Sequence, residues 1–315
     1  MTDKERENAN KRQLHEYLSG LYPEWRLLYI RSIKKMFDNY DDFYSDIAVH
    51  STLAGEKRPI KLGLTCAAVA ETMQYIEDLF SLMYNTQEYP LSMNRILNYT
   101  PRKVIDYIMS FESKPISEQL VALHMGYFPD DCVWPNADVK ELYTKLKDNT
   151  VEHMKKIIAF RNKHRRLYNQ YKHSLKIPLK EFGNPVSVDP ISTEVPLYSY
   201  ESLDVSNEYF KDSEPDMLAI PNPHPEVMPF AEELYSAGEL LRAHMVIVSL
   251  DNIMEVAYLT YQLFNCVCGN LMAIANSSEN DETIAVWFPN DDPEAPFASM
   301  DTYIVKASES ENHTQ

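Results

Sequence analysis

Apolar residues recur every three to four positions along most of this chain, and prolines and glycines mark where the rhythm stops. Residues 3–18 read as a short polar helix. Pro23 opens a second, in which Leu27, Ile30, Ile33, Phe37 and Phe43 fall near helical spacing until Gly55 and Pro59 break the pattern. A third helix is predicted over 62–85; its first half is nearly apolar all round, which places it at the centre of a bundle. Pro90, Pro101, Pro115, Pro129 and Pro135 interrupt the next segment, leaving room for short helices near 101–112 and 117–126 that cap the bundle. A long helix then runs from about 137 to 176 and ends before Pro178 and Gly183.

Residues 183–227 break the rhythm, with seven prolines, nine acids, one lysine and short β-like runs such as Met217-Leu-Ala-Ile220. They read as an inserted loop or small hairpin, because helical patterning resumes afterwards. A final helix is predicted over about 228–276, and it carries no charge from Val256 to Ser278. That run is long enough to span a bilayer. Thr260, Gln262, Asn265, Asn270 and Asn276 within it, and the lack of flanking cations, favour a buried central helix instead. Thr283 to Phe288 reads as one strand, and the tail beyond 307 as frayed. The expected fold is all-α: a mainly antiparallel helical bundle with a Pro-rich acidic insertion and at most minor β. Its divisions are 1–60 (N-terminal helices), 61–182 (bundle core), 183–227 (insertion) and 228–315 (long buried helix and tail).

Composition narrows the function classes. Seven glycines in 315 residues, with no G-x-G-x-x-G and no G-x-x-x-x-G-K-[ST], disfavour Rossmann and P-loop nucleotide chemistry. The opening residues have no apolar core of the kind a secretory signal needs, so a cytoplasmic location is expected. Cys66, Cys132, Cys266 and Cys268 are too few and scattered for a disulfide scaffold or a four-thiolate zinc site, and read as reduced structural thiols. Asp251 and Glu255 are four apart on the final helix, but no Glu-x-x-His completes a di-metal bundle site, so no metal and no cofactor is expected.

Charge is distributed unevenly. The chain carries −17, yet residues 155–180 hold nine Lys or Arg and no acid, so the remainder sums to −26 (−17 minus 9). Helical arithmetic sorts this stretch into two faces. Ile157, Phe160, His164, Leu167, Tyr168, Tyr171 and Leu175 form one apolar stripe that packs on the core. Asn162, Arg166, Asn169 and His173, spaced 4, 3 and 4 apart, line up on the opposite side. Any solvated amphipathic helix has a polar face. Here, however, that face combines a permanent cation able to hold phosphate in two hydrogen bonds with a group that titrates near neutrality. Arginine and histidine together suffice for metal-independent RNA cleavage. The histidine moves a proton at the 2′-hydroxyl or the leaving oxygen, and the arginine stabilises the pentacoordinate phosphate. Asn169 is placed to orient either. Arg161, Asn162, Lys163, Arg165, Lys172 and Lys176 are the candidate anion contacts. Glu71, Gln74 and Asp78 share a face of the third helix and could meet Arg166 and His173, or border solvent.

An Arg-x6-His spacing late in a long helix, with the run Asn169-Gln-Tyr-Lys172-His173-Ser174, resembles the HEPN superfamily, many of whose members are ribonucleases of toxin and phage-defence systems. The resemblance covers about residues 60–180 and the final helix. It implies a homodimer, with two copies of the motif helix forming one composite RNA-cleaving site across a twofold axis. Leu167 follows Arg166 where catalytic members usually carry a polar residue. The alternative is a non-catalytic interaction module whose basic face docks an acidic partner, or the chain's own acidic 183–227 insertion.

Overall fold

The computed structural model describes residues 2–44, 46–47, 57–87, 92–98, 100–129, 134, 136–172, 177, 194–202, 218–221, 228–237, 241–277, 283–289 and 302–306. The chain is all-α with a minor β component. Helix α1 (Asp3–Ser19) starts on a capping box: Glu5 N–H donates to Thr2 Oγ1 at 3.2 Å, and Thr2 N–H to Glu5 Oε2 at 2.7 Å. Two of the amides that a helix start leaves open are thereby satisfied. Helix α2 (Glu24–Asp38) buries Leu27, Ile30, Ile33 and Phe37, the predicted stripe. Phe43 lies beyond the turn at Asn39, in the separate short helix α3 (Tyr40–Tyr44), and is exposed.

Helix α4 (Lys57–Asn85) begins five residues before the predicted start at 62. Pro59 is its third residue, inside the first turn, where the missing N–H breaks no intrahelical bond. Short helices α5 (Met93–Leu97), α6 (Pro101–Phe111) and α7 (Ile116–Ala122) follow, α6 with proline at its first position. After α7 the backbone turns through left-handed conformations at His124 (φ 56°) and Gly126 (φ 68°). Helix α8 (Ala137–Lys172) is the long motif helix.

One prediction fails here. Residues 228–249 do not join the final helix: Met228–Phe230 is a 3-10 turn, α9 spans Ala231–Ser236, and a strand covers Leu241–Ser249 before α10 (Leu250–Asn276) begins. That strand, β3, is the centre of an antiparallel sheet ordered β1-β3-β2, with β1 at Glu194–Ser202 and β2 at Leu218–Pro221. Both outer strands come from the predicted insertion. Pro196 pairs with Ile247 on the edge strand β1, the position in a sheet that tolerates a residue without a backbone N–H. Strands β4 (Thr283–Trp287) and β5 (Thr302–Lys306) form a separate antiparallel pair.

The chain divides into two compact units, one of Met1–Leu27, Gln74–Ala159 and Val256–Gln315, the other of Leu28–Met73 and Phe160–Glu255. Helices α2, α4, α8 and α10 each contribute residues to both. Aromatic edges hold the first unit: Phe80 meets Tyr107 and Phe111, Tyr75 meets Phe264, and Tyr143 meets Phe128, Trp134 and Phe288. Val256, Ala257, Thr260, Leu263, Val267, Asn270 and Leu271 are buried around α10, which accounts for its uncharged run. No helix among the described residues is long and apolar enough to cross a membrane. Asn270 bonds both main-chain groups of Trp287, donating to the carbonyl at 3.1 Å and accepting from the amide at 2.6 Å, so a helix side chain takes the place of a strand partner for β4. The second unit holds the three-stranded sheet and the last turns of α8.

Candidate functional site

Within the second unit, α8 from Phe160 to Lys172 sorts its side chains by the 3.6-residue period. Phe160, His164, Leu167 and Tyr168 are buried, as the stripe requires, while Tyr171 at the edge of that stripe is exposed. On the other side Asn162 and Asn169 are exposed, and Arg166 between them is partly buried. Lys163, Arg165 and Lys172 are exposed as well, so this stretch of the helix presents four cations within ten residues and no carboxylate between Lys163 and Lys172. Lys172 Nζ lies 3.9 Å from the centroid of the Tyr168 ring, a cation–π contact that lays the lysine back along the helix. His173 and Lys176 lie outside the described residues.

Arg161 departs from its expected role. It is 1% exposed, the largest of the fully buried side chains among the described residues, so it does not reach the anion face with its neighbours. Its position explains this: it follows Ile157 by four residues and precedes His164 by three, on the core stripe. Its Nη1 donates to Asn162 Oδ1 at 3.4 Å, a long bond that leads from the interior toward the polar face. His164 sits beside it in the core, its ring 4.4 Å from that of Phe160 and its Nδ1 without a hydrogen-bond partner. Burial, and then the charge of Lys163, lower its pKa to about 3, so this imidazole is neutral and serves no proton transfer at neutral pH.

The carboxylates predicted to face the motif are now separated. Glu71 lies close enough to Tyr171 to act on its ionisation: the Tyr171 hydroxyl is held above its ordinary range by burial first, then by Cys66, Glu71 and Tyr29. Tyr29 of α2, Cys66 and Glu71 of α4 and Tyr171 of α8 thus gather at the motif end of α8, a grouping that spacing along a single helix does not reveal. Asp78 belongs elsewhere. Its Oδ2 accepts from Arg26 Nε at 2.6 Å and its Oδ1 from Gln74 Nε2 at 3.0 Å, both in the first unit. Asp251 lies 3.8 Å from Lys34 and is mostly exposed. Among the described residues no group of three His, Cys, Asp or Glu is placed to hold a metal ion.

The described thiols are buried. Desolvation pushes Cys66 and Cys268 up to about 12 and Cys266 higher still, which keeps all three protonated and unreactive. The chemistry open to the described α8 face is that of fixed cations and amides: hydrogen bonds and Coulomb attraction to an anion. No family model matches the chain, and no curated protein or solved structure does either.

Proposed function

We propose that this is an RNA-directed protein that holds the phosphodiester backbone on the outer face of α8, as a homodimer of HEPN type acting in the cytoplasm. In this reading Arg166 and His173 cleave RNA without a metal, and Asn169 orients one of them. The observation that carries it is the row of Asn162, Arg166 and Asn169 flanked by Lys163, Arg165 and Lys172. Amides and cations on one helix face, in a chain of net charge −17, make a local anion site. Partial burial of Arg166 favours it further, because a guanidinium lowered toward the protein interior holds a phosphate in two directed bonds better than a mobile surface lysine does.

One observation favours binding without cleavage. Leu167, directly after Arg166, is 5% exposed and packs inward, so it gives the reacting phosphate no polar contact. The experiment that decides is incubation of purified protein with a mixed RNA pool in EDTA, wild type beside Arg166→Ala and His173→Ala. Cleavage with cyclic-phosphate ends, lost in both variants, supports the ribonuclease. RNA retained intact in a gel shift supports the binding protein. Intact, unbound RNA overturns both and leaves an acidic protein partner for this face.

A further inference from the structure

In the first unit, where α1 hands over to α2 against α4, lies a cavity of about 390 Å³. It is of ligand size. Its wall combines two features. Tyr22 and Trp25 are 74% and 67% exposed, large ring faces open to a ligand at the cavity mouth. Beside them Arg26 and Asp78 form their ion pair, with side chains 31% and 28% exposed.

The loop that carries the rings is held firmly. Tyr75, fully buried, donates its hydroxyl to the Pro23 carbonyl at 2.6 Å, and Trp25 N–H donates to the Tyr22 carbonyl at 3.1 Å. A part-exposed ion pair adds little to stability, so its place in a cavity wall beside exposed rings points to recognition. The carboxylate of Asp78 has about four acceptor positions. Arg26 and Gln74 occupy one on each oxygen. The other two remain for a ligand bearing paired N–H donors.

We propose that this cavity binds a guanine base. Guanine is a flat ring with the N1–H and N2–H donors side by side and the O6 acceptor next to them. The paired donors complement the two open acceptor positions of Asp78, and the ring face complements Trp25 and Tyr22. Adenine offers one exocyclic donor group and no second N–H beside it, and cytosine likewise, so both lose one of the two bonds to Asp78. The inference does not rest on the α8 reading, and a failure of RNA binding on α8 leaves it standing.

The test is calorimetric titration of the full chain with guanosine, adenosine and cytidine monophosphates, and with the RNA trimers UGU and UAU. The expected result is a preference of at least about fivefold for guanine within one of the two sets, from the one lost hydrogen bond. Binding of the free nucleotide assigns the cavity to a nucleotide ligand, and binding of UGU alone assigns it to a base in an RNA strand. Trp25→Ala, at an exposed position that leaves folding intact, weakens binding about fivefold or more whatever the base. Asp78→Asn, checked for folding by circular dichroism, removes the guanine preference. No binding of any probe up to about 1 mM, or equal affinity for guanine and adenine, overturns the inference.

Discussion

The steepness with which salt weakens RNA binding tests the α8 face directly. Lys163, Arg165, Arg166 and Lys172 are the described cations on the last turns of that helix that are not buried in the core. If each neutralises one phosphate of a single strand, log K falls against log salt with a slope of about −2.8, from roughly 0.7 per contact. Between 50 and 200 mM salt, affinity then drops about 50-fold. Replacing Lys163 and Arg165 together by alanine removes two contacts, so the slope becomes about −1.4 and the same salt change costs about sevenfold. Fluorescence anisotropy of a labelled single-stranded RNA over a salt series measures both slopes. The double variant Arg102→Ala, Lys103→Ala serves as control, because it removes two exposed charges from α6. It lowers the net charge equally and leaves the slope unchanged if binding is local. Equal slopes for wild type and the α8 variant, or the same reduction from the α6 control, would refute the placement of RNA on α8.

Two further expectations concern the scaffold. Asn270→Ala leaves the amide and carbonyl of Trp287 without their partners, and two lost bonds at a buried site cost about 2–3 kcal/mol, read as a lower urea midpoint; a loss below about 0.5 kcal/mol would show that β4 does not need this clamp. His164 gives the molecule an acid sensitivity with a definite sign. Its folded pKa of about 3 lies below the unfolded value of 6.5, so the unfolded chain takes up the proton first. Stability is therefore complete above pH 6.5 and lost as pH falls toward 3; by pH 4.5 the loss is about 3 kcal/mol, from 1.36 kcal/mol per pH unit. His164→Phe should flatten the stability profile between pH 6.5 and 4.5, and an unchanged slope there would assign the acid sensitivity to other groups.

How far the sequence could be read depended on whether one periodicity stood alone. The helices α1, α2 and α8 were legible because a single apolar stripe, a cap or a proline marked each of them. The strand β3 was not, since Val246-Ile247-Val248 runs without glycine or proline into Leu250 and the apolar core of α10. A short apolar run fits strand or buried helix equally. Two signals were available: the β-branched triplet, whose burial alternates with Ile247 exposed, and Ser249, whose Oγ accepts from Asn252 N–H at 3.3 Å as a helix cap. Arg161 shows the opposite error. Its spacing from Ile157 and His164 placed it on the core stripe, and its charge alone argued for the surface. Burial followed the spacing, because the side chain's direction is fixed by the helix and its charge only sets the cost of going there. The same logic bears on the two sites. Arg166, one residue off the core stripe's far side, was legible as part of a surface row. The pairing of Arg26 with Asp78 was not, since 52 residues separate them and each reads alone as a solvated charge. Cavity walls made by five helices leave no trace in any one helix's pattern, which is why the α8 face came from sequence and the proposed guanine cavity only from the fold.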